Sequence, residues 1–188
     1  GKEIFETLRM VEAENFDIRT TTLGISLFDL AGSDPGLPER VYQRIIDYGQ
    51  NLVQIAQEVE ADLGMPIVNK RVSVTPIALI AGGGGPELVH RTALALDRAA
   101  KEIGIDYIAG FPALVHKGIS KNDAAYIEAL PQAIADTERM CASVNVASTR
   151  AGINMDAVNL MGHAILDMAA ISMMADGAPL RSVWWCIT

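Results

Sequence analysis

This chain has little of the residues that announce a chemistry. Cysteine occurs only twice in 188 residues, at Cys141 and Cys186, far apart and each within an apolar run. That excludes a disulfide framework and reads as buried, reduced thiols in a cytoplasmic protein. The three histidines are not accompanied by a second histidine or a cysteine cluster at metal-ligand spacing, so no metal site is expected. Lys and Arg number 15 against 23 Asp and Glu, leaving a net charge of -8. Phosphate backbones need clustered cations, so nucleic acid is excluded as a partner. No apolar run reaches the roughly 18 residues of a membrane helix. The opening Lys2-Glu3-Ile4-Phe5-Glu6 is charged and helical in pattern, unlike a signal peptide.

What is present is an ordinary globular composition, half hydrophobic and one fifth charged, on a chain long enough for one α/β domain over 1–188. Helix and strand signals alternate. Glu3–Asn15 has a helical apolar face, with Ile4, Leu8 and Val11 together. Asp17–Leu30 is rich in β-branched residues and predicts a strand. After the turn at Asp34–Pro38, a helix is expected to Leu63, closed by Gly64. Strands follow over Pro66–Thr75, Ile105–Phe111 and Cys141–Ala147, separated by helices over Pro86–Ile103 and Ser120–Arg139. Ser120 with Asp123 has the spacing of a capping box. A last helix spans Met155–Ala175, and Gly177 and Pro179 turn the chain into a strand at Ser182–Ile187. Strands alternating with helices of this length imply parallel pairing through right-handed crossovers. An apolar strand carrying Trp184 and Trp185 invites a cover, so a homo-oligomer or a partner chain over it is expected.

Two strands carry more polar residues than a fully buried parallel strand tolerates. Asn69, Arg71, Ser73 and Thr75 share one face by the two-residue period, opposite Val68, Lys70, Val72 and Val74. Arg71 offers a fork for a carboxylate or phosphate; the competing reading is an interface or edge strand with one wet face. Ser143 and Asn145 share a face with Cys141, and the polar turn Ser148-Thr149-Arg150-Ala151-Gly152 leads into a helix start. Arg150, Thr149 and free backbone N–H groups there suit an anion, although Asn154 also fits a plain N-cap. Carboxyl ends of strands running into such loops are where α/β folds place ligands.

Other candidates have plainer readings. Cys141 has no adjacent base and reads as core. Gly82–Gly85 lacks both the Lys-Ser/Thr partner and the GxGxxG spacing of phosphate loops and reads as a connector. His116 and Lys117 follow the third strand and reach toward its carboxyl end. Asp29, at the end of the first strand, fits a metal ligand, a base or a turn; Asp106 is a further carboxylate. The methionines of the last helix read as core filler.

Four blocks in order, DIRTTTLGISLFD, GMPIVNKRVSVTPIALI, IGIDYIAGFPALVHKG and CASVNVASTRAGINMDAV, resemble the N-terminal part of the PFL family, domain-of-unknown-function family 711. The resemblance covers the chain to about Ala170 and fades beyond Ala178. It implies a fold similar to pyruvate formate-lyase, a large α/β barrel of which this chain would supply roughly the first half as a truncated piece. Family members resemble it at Cys141 and at Lys117-Gly118, commonly carry an amide where His116 stands, and do not keep four glycines at 82–85. The radical glycine that true enzymes of that fold carry near the C-terminus lies outside this chain.

The residues and the resemblance point to one reading. A small anionic metabolite binds at the carboxyl ends of the strands, through Asn69, Arg71, Ser73, Thr75, Lys117, Ser143, Asn145, Thr149 and Arg150, with the cofactor unspecified. An enzyme with a barrel-mouth active site, or one piece of a split barrel, are the alternatives. No polarised acid/base pair is visible to favour catalysis.

Overall fold

The computed structural model describes residues 4–6, 9–10, 17–176 and 185–187. Residues 4–6 and 9–10 are helical; the rest of the expected Glu3–Asn15 helix, the Gly177–Pro179 turn and Ser182–Trp184 lie outside the described residues. The elements that follow are strands β1 (Ile18–Ile25), β2 (Ile67–Val74), β3 (Tyr107–Leu114) and β4 (Met140–Asn145), the short pair β5 (Ala147–Ser148) and β6 (Gly152–Ile153), and β7 (Trp185–Ile187). The helices are α1 (Leu37–Gly49), α2 (Leu52–Leu63), α3 (Ile77–Ile80), α4 (Gly85–Ile103), α5 (Lys121–Ala135) and α6 (Met155–Asp176).

The five-stranded sheet has the order β1-β2-β3-β4-β7, every pairing parallel. Neighbours in space are thus neighbours along the chain. Right-handed crossovers between such strands put every connecting helix on the same side. Burial agrees. The row Leu23, Val72, Ile108 and Met140 faces the helices, and Val72 and Ile108 are fully buried there. Alternate residues, Thr22, Arg71, Ser73, Tyr107, Cys141, Ser143 and Asn145, point to a face that no described helix covers.

Local chemistry explains most boundaries. Gly64 and Gly104 close α2 and α4 in the left-handed conformation, at φ 66 and 76, which a β-carbon disfavours. At Ser120 the capping box forms in full: its hydroxyl accepts from Asp123 N–H, and the Asp123 carboxylate accepts from Ser120 N–H. The expected long helix to Leu63 is instead two, broken at Gln50–Asn51; Gly49, the last residue of the first, packs where a β-carbon would meet Ile103 Cδ1 at 2.9 Å. The first strand stops at Ile25, before a 3-10 turn at Phe28–Leu30 anchored by Leu27, whose N–H donates to Thr75 Oγ1 at 2.9 Å. The third strand runs three residues further than expected, to Leu114, past a bulge between Ala109 and Phe111. Gly110 sits in that bulge, where a β-carbon would come within 2.1 Å of Val74 Cγ2. The fifth helix ends at Ala135 rather than Arg139. Thr137 Oγ1 donates back to Ala133 O, and buried Asp97 turns the chain into β4 by accepting from Glu138 N–H and Arg139 N–H, at 2.9 and 2.7 Å.

A cleft at the carboxyl end of the sheet

The polar residues singled out in the sequence fall into two groups. Ser73, Ala109 and Cys141 lie in one row across β2, β3 and β4. Arg71 is two residues below that row and Asn145 four residues above it. At about 3.3 Å per residue and 4.8 Å per strand, their Cα atoms are roughly 22 Å apart. Asn69 sits lower still and is tied to the neighbouring strand, its Nδ2 donating to Arg19 O at 3.0 Å. Arg71 and Asn69 therefore belong to the middle and lower sheet, while Asn145, Lys117, Thr149 and Arg150 belong to its carboxyl end.

Thr75 is also at the carboxyl end but faces inward. It is buried and holds Leu27 N–H, which is a fold-holding contact. Thr149 and Arg150 are exposed at the tip of the β5–β6 hairpin, closed by Ala151 N–H donating to Ser148 Oγ at 3.0 Å. Gly152 takes φ 75 there, a conformation that favours glycine. The hairpin leads to Asn154, which ties three elements together. Its backbone N–H donates to Val146 O at 2.9 Å, its Nδ2 to Val115 O at 2.6 Å, and its Oδ1 accepts from Ala157 N–H at 3.2 Å. The last bond makes Asn154 the N-cap of α6. With that cap made and Asp156 in the first turn, the helix start is not the free anion cradle that the sequence suggested.

Between the loop after β3 and the start of α6 lies an open cleft of about 730 Å³, lined by His116, Lys117, Gly118, Ile119, Ala151, Asn154 and Asp156. That volume suits a small metabolite. Lys117 is exposed at its edge, and Asp156 supplies a carboxylate. Among the described residues His116 Nδ1 is buried without a hydrogen-bond partner, as is Asn145 Oδ1 on β4, where Asn145 pairs with Leu114. Buried polar atoms are nearly always paired, so the orphan His116 Nδ1 in the wall of this cleft makes it the candidate site. Asn154 and Asp156 were missed as lining residues because only the hairpin brings them back over β3.

The remaining candidates have internal partners. Asp29 is held by Arg44 through two bonds of 3.1 and 2.7 Å, and that guanidinium lowers its pKa. Asp106 Oδ2 accepts from Lys70 N–H at 2.7 Å. His90 pairs with Asp136 at 2.9 Å, linking α4 to the end of α5. Gly82–Gly84 form a 3-10 turn. Among the described residues no cluster of three potential metal ligands occurs, and no helix is long and apolar enough to cross a membrane. Cys141 departs from its expected place in the core: strand alternation carries Ala142 and Val144 inward and leaves the thiol half-buried on the uncovered face. Burial raises its pKa, and the positive charge of Arg71 partly offsets that.

Comparison with known proteins gives a consistent picture. A family model described as "Uncharacterised ACR (DUF711)" matches residues 9–186. A UPF0210 protein of Lactobacillus delbrueckii subsp. bulgaricus is 48% identical over 94% of this chain and 40% of its own length. A UPF0210 protein of Desulforudis audaxviator is 50% identical over 89% of this chain and 37% of its own. One of Methanococcoides burtonii is 49% identical over 94% of this chain and 39% of its own. The chain thus spans about 40% of the length of these curated relatives. Their names carry no reaction or ligand.

Proposed function

The chain belongs to the uncharacterised DUF711 family, and from that premise we propose that its cleft binds a small anionic metabolite at the carboxyl ends of the strands. The observation that carries this reading is the buried, unpartnered His116 Nδ1 in the wall of a metabolite-sized cleft. Lys117 at the rim, with Arg150 and Thr149 on the nearby hairpin, meets the negative group. Ser143 and Asn145 on β4, with Asp156 on α6, take hydroxyl or amine hydrogens. The ligand this set favours carries one anionic group and at least one hydrogen-bond donor. An enzymatic role on the same site needs an acid/base pair, for which His116 and Asp156 are the available groups.

The test is a thermal-shift screen of anionic metabolites against the wild type and Lys117→Gln. The reading expects saturable stabilisation by at least one compound, weakened about tenfold in the variant, as for loss of one charge-assisted bond. A screen with no stabilising compound, or one unaffected by Lys117→Gln and Arg150→Gln, overturns it.

The sheet's own geometry favours a second, architectural reading. Consecutive parallel strands with helices on one side are the arrangement of an α/β barrel wall, whose inner face here is the polar one. On this reading β1 and β7 join further strands, from a longer chain or a partner, as in a barrel similar to that of pyruvate formate-lyase. Sedimentation decides the partner form: a dimer or higher species supports it, and a monomer at micromolar concentration counts against it.

A further inference from the structure

Arg71 is separate from the cleft and has a different problem. Its guanidinium lies 5.9 Å from the Tyr107 ring centroid, and its Nε is buried with no hydrogen-bond partner. No described carboxylate forms an ion pair with it. The rows around it hold Thr22, Gly24, Ser73, Ala109 and Cys141, with no Asp or Glu among them. In a chain of net charge -8, a half-buried arginine facing no acid among the described residues is an unbalanced charge. Buried charges are ordinarily paired.

We infer that Arg71 anchors a second site, on the uncovered sheet face, for a small monocarboxylate held next to the Cys141 thiol. The free Nε–H and an adjacent terminal N–H form the side-on fork that matches the two oxygens of a carboxylate. Arg71 is the single cation in these rows, so a monoanion balances the charge and a phosphate dianion does not. Ser73, two residues along β2, offers a hydroxyl on the same side. Cys141 is two residues up and two strands across, about 12 Å at the backbone, which places its thiol at the far end of a molecule of three to five heavy atoms.

The thiol makes the site readable. Iodoacetate and iodoacetamide alkylate cysteine by the same displacement: sulfur bonds to the methylene carbon, iodide leaves, and the thiol proton goes to solvent. They differ in carrying a carboxylate or a neutral amide. Rates are measured at the Cys141 peptide by mass spectrometry in about 0.5 M salt, where the screening length of roughly 4 Å leaves only contact pairing. The expected iodoacetate-to-iodoacetamide ratio is at least tenfold higher in the wild type than in Arg71→Gln, with Arg71→Lys between. Acetate should slow alkylation of the wild type alone. If Arg71→Gln does not fold, the wild-type ratio is compared with that of glutathione, and acetate protection with that of chloride at equal ionic strength. A wild-type ratio equal to that of the variant or of glutathione, with no protection by acetate, overturns the site. A carboxylate of the protein's own chain already seated on Arg71 would give that same null result and overturns it equally.

Discussion

Replacing Asp97 separates the role of a buried acceptor from that of a buried charge. Asp97 lies on α4 and is 4% exposed. Its Oδ1 accepts both Glu138 N–H and Arg139 N–H, while Oδ2 meets Lys101 Nζ at 2.9 Å. The two backbone bonds fix the residues immediately before β4, and so the strand that presents Cys141, Ser143 and Asn145. Asp97→Ala removes the acceptor and strands two N–H groups; at about 1.5 kcal/mol for each bond to a charged group, the expected loss is about 3 kcal/mol. Asp97→Asn keeps an oxygen in place of Oδ1 and loses the charge and the Lys101 pair. Lys101 is partly exposed, so that pair contributes little, and the expected cost is about 1 kcal/mol. Urea unfolding monitored by circular dichroism gives both values from the midpoints at constant slope. Hydrogen exchange at Glu138 and Arg139 localises the effect, with protection lost in the alanine variant and kept in the asparagine one. Equal costs for the two variants would refute the assignment of the stability to the shared oxygen.

Other perturbations follow the same logic. Thr75→Val leaves buried Leu27 N–H without its acceptor and should cost about 1–3 kcal/mol in urea unfolding while leaving ligand affinity unchanged; a loss of binding at full stability would return Thr75 to the site. Gly110→Ala forces a β-carbon against Val74 and should cost about 1–3 kcal/mol, largely relieved by adding Val74→Ala; simple additivity of the two would show that the bulge does not depend on that contact. Asp34 is held by Arg40 through bonds of 2.8 and 2.7 Å, with help from Gly36 N–H, which brings its pKa from 3.8 to about 2. A depressed folded-state value means the pair stabilises above pH 4 and loses its effect as pH falls toward 2. In Arg40→Ala, carboxyl NMR should show Asp34 titrating close to 3.8; a value still near 2 would exclude Arg40 as the main cause.

Local signals were well expressed in the residues. Gly64, Gly104 and the Ser120–Asp123 box end or start helices through chemistry confined to a few neighbours, and strand alternation put Asn69, Arg71 and Ser73 on one face correctly. Height along the sheet was not legible. It depends on how four strands register and on the bulge at Gly110, which lies against Val74, a contact between residues 36 apart in sequence. That is why Arg71 was expected to converge with Arg150 and instead lies well below it. Cys141 was read as core because its strand is apolar in composition, although its own alternation with Ala142 and Val144 already placed it opposite. Asp97 gave no signal, since a single carboxylate on an amphipathic helix looks like a solvated residue until β4 is brought over it.

The cleft can be tested most directly by titrating the isotope-labelled protein with the compound that stabilises it most in the metabolite screen, following backbone amide and histidine ring signals by NMR. Binding at the proposed place predicts saturable shifts at Lys117, Gly118 and Ile119, at Ala151 to Asp156, and at the His116 ring nitrogens. Saturable shifts confined to other residues, or no shifts at all, would contradict it.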